Sequence, residues 1–368
     1  MDERHSFRIS LSNKSYFAVT LAAMLLLSMI HIKNAEIKYF ASNREEIQLG
    51  GIVDKGPVAQ SEESNPPRLC RIDEIVPGKW INATYSHAPY VPMRGEVQQK
   101  TCSDFDPNAD IWQTWEWMPH AVTSNDCLFS SNFDKDQYCA LTSNKTVAII
   151  GDSISFDHYL SLTHLLGLPK ALPKARNKFP QVISEPCNGT SKLIGQRDFL
   201  LTKVGDVIQT HSPDVIILNR GAHYTTDDAL QQHFNHTLIR QLETWQAECI
   251  DKSSKQCLLI WWTTVPGHPN FDQYTHPAES ITEMEYAIKN HSNAVGYNWD
   301  KFQHQNKLVL DLLARSSLDF EIMDAYDINI LRPDAHAGGS DCLHSCLPGD
   351  DIYSYITQHM LQLKFEQE

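Results

Sequence analysis

Gly151-Asp152-Ser153 and Asp341-Cys342-Leu343-His344 are two short patterns in this 368-residue chain that could together form an acyl-transfer site. A serine hydroxyl becomes a nucleophile when an imidazole takes its proton. The imidazole does so best when a carboxylate holds its other ring nitrogen. Asp341 and His344, three residues apart on one turn, would supply that base and its orienter, and Ser153 the nucleophile. Each pattern is weak by itself. A given tripeptide arises by chance in roughly one chain in ten of this length, and a D-x-x-H spacing in roughly one in two. Asp2-Glu3-Arg4-His5 repeats that spacing close to the N-terminus, so spacing without placement carries little.

Placement comes from the elements around these residues. Thr146-Val147-Ala148-Ile149-Ile150 is a β-branched run of the kind a buried parallel strand uses, and it leads straight into Gly151. An amphipathic stretch from His158 to Leu166 follows it. Val215 to Leu218 and Cys257 to Trp262 read as further strands, with a weaker one at Phe320 to Met323. Helical patterns span about Asp228 to Glu248 and Trp299 to Leu313, and a last helix follows Asp350. Strands alternating with helices imply an α/β sheet covered on both faces. Ligands of such sheets sit at the carboxyl ends of the strands, where Ser153 and Asn219 both fall. A serine on a strand-to-helix turn stands above the sheet, at a helix N-terminus that favours developing negative charge.

The formal net charge of −14 excludes a phosphate-backbone partner, so no nucleic acid is expected. Tyr16 to Ile32 carries no formal charge and is bracketed by Lys14 and Lys33, a membrane span at the short end of the usual range. Arg4, Arg8 and Lys14 place the preceding tail in the cytosol. The expected organisation is a tail at 1–15, a signal-anchor at 16–32, a stem at 33–69 and a lumenal domain at 70–368. A cleaved signal peptide, and hence a secreted protein, is the alternative. All nine cysteines lie beyond the apolar segment, as do sequons at Asn82, Asn144, Asn188, Asn235 and Asn290. Disulfides are therefore expected, with an odd cysteine left over. Within the lumenal domain, 70–145 is rich in Cys, Trp and Pro and reads as a loop-dominated lobe on an α/β core at 146–368.

Taken in order, a GDS, an Asn at a mid-chain strand end and a C-terminal D-x-x-H resemble the SGNH hydrolase superfamily. Leu331-Arg332-Pro333-Asp334-Ala335-His336 followed by Asp341-Cys342-Leu343-His344-Ser345-Cys346-Leu347-Pro348-Gly349 narrows the resemblance to the trichome birefringence-like, or PC-esterase, family. That family carries R-x-D-x-H and D-C-x-H-W-C-L-P-G; here Ser345 replaces the tryptophan. Leu218 to His223 resembles its N-T-G-H segment, and Trp261 to His268 its R-T-x-S-P-x-H segment without the arginine. The chain is thus similar to a divergent member.

The resemblance implies an SGNH-type three-layer sandwich and O-acetylation of cell-wall or secreted polysaccharide in the Golgi lumen. It implies Ser153 as nucleophile, His344 as general acid/base and Asp341 as its orienter. The Ser153 N–H and the Asn219 side chain would hold the oxyanion, and Gly189 or Gly195 would add a third donor. Gly151, Asp152 and His336 complete the expected oxyanion and substrate-binding set. No tightly bound cofactor or metal is required. The acetyl donor, acetyl-CoA or another lumenal compound, is a co-substrate. One apolar span cannot itself carry acetyl groups across a membrane, so a separate multi-span supplier of donor is a partner hypothesis. A carbohydrate acetyl-esterase is the rival reading, and a non-catalytic polysaccharide-binding protein a third.

Blander roles stand beside several of these. Arg332, Asp334 and His336 could brace the catalytic loop as well as bind substrate. Trp112, Trp115 and Trp117 could stack sugars, though core packing suits a cysteine-rich lobe better. His223 and His268 follow strand ends, at the rim or in structural roles. Cys342 and Cys346 flank His344 and are expected to pin its loop through disulfides.

Overall fold

The computed structural model describes residues 68–85, 112–124, 126–168, 181–253, 256–338, 341–345 and 351–366, all within one compact unit, Ser64–Glu368. The expected tail, membrane span and nearly all of the stem lie outside the described residues. Among the described residues no helix is long and apolar enough to cross a membrane.

Among the described residues ten strands run in chain order: β1 Gly78–Tyr85, β2 Trp112–Pro119, β3 Thr146–Gly151, β4 Gln181–Ser184, β5 Lys192–Arg197, β6 Val215–Asn219, β7 Leu258–Trp262, β8 Glu321–Met323, β9 His336–Gly338 and β10 Asp341–Ser345. Six of them form the central sheet in the order β4-β5-β3-β6-β7-β8. All its pairings are parallel except that of the edge strand β4 with β5. The first parallel strand in chain order, β3, therefore lies between β5 and β6. The chain winds to one side of β3 and then to the other. The crevice at the carboxyl ends of β3 and β6 is the switch point where such sheets bind ligands.

Alternation along the strands feeds two cores. Val147 and Ile149 point into one, with Val215, Ile217, Ile260 and Trp262. Ala148 and Ile150 point into the other, with Ile216, Leu218, Leu259 and Trp261. The first core is roofed by the helices Ser153–Leu165 and Asp351–Phe365. Val204–His211, the run from Asp227 to Ser253 and Phe302–Ala314 cover the second. The fold is thus mixed α/β, with a mostly parallel six-stranded sheet flanked by helices. The helix expected at His158 begins at Ser153 itself. It is buried almost all round rather than amphipathic, because Asp351–Phe365 packs over its outer side. The expected Asp228–Glu248 helix is a longer run broken by a π turn at Phe234–Leu238.

The N-terminal lobe is less loop-like than its composition suggests. β1 and β2 pair antiparallel over their full eight residues. Trp117 is buried and its indole N–H donates to Ile75 O at 2.8 Å, while Trp80 donates to Ile328 O at 2.9 Å. Trp117 therefore takes the packing role, and the lobe shares the first core with the sheet. Disulfides join Cys70 to Cys127, Cys139 to Cys187 and Cys249 to Cys257. Cys342 is a free thiol, so it does not pin the catalytic loop as expected. The asparagines of all five sequons are exposed.

Candidate active site

β3 ends at Gly151, and the backbone there is crowded. A Cβ on Gly151 would lie 2.1 Å from the Ser155 hydroxyl and 2.6 Å from Asn219 O. Glycine lets β6 and the following helix approach this close. Asp152 then caps that helix, accepting from Ile154 N at 2.8 Å through one oxygen. Its other oxygen accepts from Ala222 N at 2.8 Å in the loop after β6. Gly221 makes this possible, with φ of +78° and a Cα face pressed against the Asp152 carboxylate. Asp152 is buried and both its oxygens are spent on backbone donors. Gly151 and Asp152 thus shape the turn that presents Ser153. Ser153 is the first residue of the helix, where backbone N–H groups are left without intrahelical acceptors.

The imidazole comes from the far end of the chain. β9 and β10 form a short antiparallel pair with an irregular register, Asp341 opposite Gly338 and Ser345 opposite His336. Within it the Asp341 Oδ1 accepts from His344 N at 3.0 Å and Leu343 N at 3.3 Å, folding the segment tightly. His344 Nδ1 lies 3.0 Å from both Asp341 oxygens. A carboxylate only accepts, so Nδ1 carries the proton and Nε2 the lone pair. His344 Nε2 is 2.7 Å from Ser153 Oγ, placed to receive the hydroxyl hydrogen. Serine and histidine are 191 residues apart in sequence. The Asp341 side chain is 42% exposed and that of His344 18%, so the carboxylate end of this relay is open to water.

A second pair of imidazoles stands behind the first. His336 Nδ1 donates to His344 O at 3.0 Å, and its Nε2 is 2.6 Å from His268 Nδ1. His268 Nε2 in turn lies 3.1 Å from Ile330 O. Three contacts thus share two protons while both rings are neutral, the state that burial favours. Burial lowers His336 to about 4 and takes His268 well below the ordinary histidine value. Arg332 forks onto Asp334 at 3.0 and 3.3 Å and lies 4.3 Å over the Trp80 ring. The Arg332, Asp334 and His336 contacts are those of a brace. His268 N also donates to Cys342 O at 2.8 Å, and Gly267 leaves room for that approach.

Asn219 sits at the end of β6, as expected, and is buried. One hydrogen of its amide goes to Trp262 O at 3.0 Å, and its oxygen is 3.4 Å from Ser155 Oγ. An amide nitrogen carries two hydrogens, so one is left for a ligand. Neither glycine proposed as a third donor serves. Gly195 lies inside β5 with the Tyr159 ring on its Cα face. Gly189 lies before the start of β5, beside the amino end of β3, where its N–H donates to Pro186 O. The length of β3, roughly 17 Å at a strand's rise per residue, lies between it and the turn that carries Ser153. The close contact of His268 with His336 escaped the sequence reading, since the two rings are 68 residues apart and no spacing signals it. A scan against protein-family models finds no match, and a search of curated proteins finds none either.

Proposed function

We propose that this protein is a serine acyltransferase of the SGNH type that acetylates hydroxyls of a cell-wall or secreted polysaccharide. The observation that carries the reading is the relay Asp341–His344–Ser153, with contacts of 3.0 and 2.7 Å at the carboxyl end of a parallel sheet. The resemblance of Arg332 to Gly349 to the PC-esterase signature supplies the substrate class. The exposed sequon asparagines, the disulfides and the apolar Tyr16 to Ile32 segment support a lumenal domain on a single-pass type II Golgi anchor.

In this mechanism the Ser153 hydroxyl gives its proton to His344 Nε2 as Oγ attacks the acetyl carbonyl of the donor. The Ser153 N–H and the spare Asn219 N–H hold the oxyanion; losing one such donor typically costs about 10²–10³ in rate. His344 then protonates the departing group, leaving acetyl-Ser153. A sugar hydroxyl enters, His344 takes its proton, and the acetyl group moves to the sugar oxygen. Asp341 keeps the imidazole in the productive tautomer throughout and balances its charge while protonated. Water in place of the sugar would make the protein an acetyl-esterase. The exposure of Asp341 favours that second reading enough for it to be tested alongside.

The purified protein is incubated with an acetyl donor and a panel of oligosaccharides, next to Ser153→Ala, and products are followed by mass spectrometry. Acetylated sugar from the wild type alone is the expected result. Deacetylation of pre-acetylated glycan without transfer selects the esterase. Activity that persists in Ser153→Ala refutes the triad.

A further inference from the structure

The loops that follow β5 and β6 do something the relay does not use. β5 and β6 are the two neighbours of β3, so these loops rise on either side of the strand that carries Ser153. They meet. Phe199, two residues beyond β5, and His223, four beyond β6, have ring centroids 4.7 Å apart, tilted by 42°. Strands two places apart are about 10 Å from each other, so the ring pair straddles the end of β3. His223 Nε2 is 3.8 Å from the carboxylate of Asp152, the residue before the serine.

The pair is exposed, and it is held in place. Phe199 is 49% exposed and the His223 side chain 52%. Beneath them the buried Arg220 donates to Phe199 O and, at 3.2 Å, to Thr225 Oγ, tying one loop to the other. Leu201, buried and at φ +58°, anchors the turn on which Phe199 stands. A rigid aromatic kept in water beside a nucleophile costs solvation and suits recognition better than packing.

We propose that Phe199 and His223 form the acceptor platform, stacking the apolar face of a pyranose ring so that one of its hydroxyls reaches acetyl-Ser153. The assignment rests on the acyl-transfer reading above. Charge selects this occupant over a phosphorylated donor. The two cations of these loops are compensated: Arg220 lies in the field of Asp152 and Asp198, and Lys203 pairs with Asp206 at 3.3 Å. An uncharged ring with C–H faces and hydroxyl edges meets an aromatic face with a polar rim. A nucleotide-linked pyrophosphate would find both of those cations already balanced by carboxylates.

The test uses the full-length protein, as wild type, Phe199→Ala and Phe199→Trp, each also combined with Ser153→Ala. Binding of xylohexaose, mannohexaose and trigalacturonate is followed by saturation-transfer NMR, and hydrolysis of p-nitrophenyl acetate reports the relay separately. At least one sugar should bind the wild type with saturation on its ring C–H protons. That binding should weaken about tenfold in Phe199→Ala and persist in Phe199→Trp, with circular dichroism and a melting curve establishing that both variants are folded. No sugar bound by the wild type, or equal binding by Phe199→Ala, overturns the platform. Sugar binding that depends on Phe199 without any acetyl transfer leaves the platform standing and refutes the transferase. Aryl-acetate turnover that survives Ser153→Ala refutes the relay alone.

Discussion

Replacing Asp341 by asparagine probes the relay at its partly exposed carboxylate. The carboxylate has two duties: it accepts from the backbone N–H groups of Leu343 and His344, and it holds His344 Nδ1 at 3.0 Å. Asparagine keeps an oxygen for the backbone donors, so the segment should stay folded. It loses the negative charge that stabilises the imidazolium formed when Ser153 attacks. For unit charges 3.0 Å apart the interaction is roughly 3 kcal/mol at an effective dielectric of about 40, midway between a protein surface and water. The 42% exposure of the side chain justifies that choice over a buried value. Roughly 3 kcal/mol is a loss of about 10² in kcat. That is milder than the roughly 10⁴ known for a buried aspartate in the same role. Turnover of p-nitrophenyl acetate measures it, with circular dichroism and a melting curve to establish the fold. A loss of less than about fivefold in a folded variant would show that Asp341 does not act through His344.

Gly221→Ala should destabilise by roughly 3–5 kcal/mol, from its positive φ and from displacing Asp152, which frees Ile154 N and Ala222 N. A denaturant midpoint within about 1 kcal/mol of wild type would contradict the crowding at that turn. His336→Ala should lower kcat about tenfold at little change in KM, because His336 acts only through the His344 carbonyl. His336→Asn, whose amide can donate to the same carbonyl, should recover part of the loss; equal defects in both variants would remove the positioning role. Asp327 is pushed up to about 6, first by burial and then by Asp324 and Glu285. Because its folded value exceeds the unfolded 3.8, the folded state binds the proton more tightly and loses stability as pH rises from about 4 to 6. Asp327→Asn should therefore stabilise by up to about 3 kcal/mol at pH 7.5 and by almost nothing at pH 4. Equal melting-temperature gains at both pH values would refute that cause.

The strands most legible in the sequence were those whose burial is total; the weaker signal at Phe320 to Met323 belongs to β8, which is only partly buried. β3, β6 and β7 are buried along nearly their whole length, and residues selected for such places are apolar and β-branched without alternation. β5 was not legible because Gly195 must admit the Tyr159 ring, and lysine and arginine stand at its ends. A strand with two apolar residues in six gives no periodic signal. β1 and β2 escaped for a different reason: each is paired with a partner more than twenty residues away, so no short-range pattern marks the pairing. The site divides along the same line. Ser153, Asp341 and His344 could be named because their chemistry restricts the residue type. The contact of His268 with His336 could not, because the two rings meet only through the fold and an imidazole has many other uses.

Transfer differs from hydrolysis only in what reaches acetyl-Ser153, and the open side of the site makes that a matter of competition. Water stands at about 55 M, whereas a hydroxyl held in line for attack can reach an effective molarity of about 10⁵ M or more. A positioned sugar therefore wins without a closed lid, provided that it is positioned. His344 fixes one side of Ser153 and is itself held from behind by His336, so the base does not adapt to the acceptor. Orientation has to come from elsewhere, and on the proposal above it comes from Phe199 and His223, on loops that Arg220 locks together. An acceptor seated there excludes water over one face and presents hydroxyls over the strand end. Removing the aromatic face would weaken both effects at once while leaving the relay intact. On the proposed reading, the choice between transferase and esterase would rest on two exposed rings rather than on the triad.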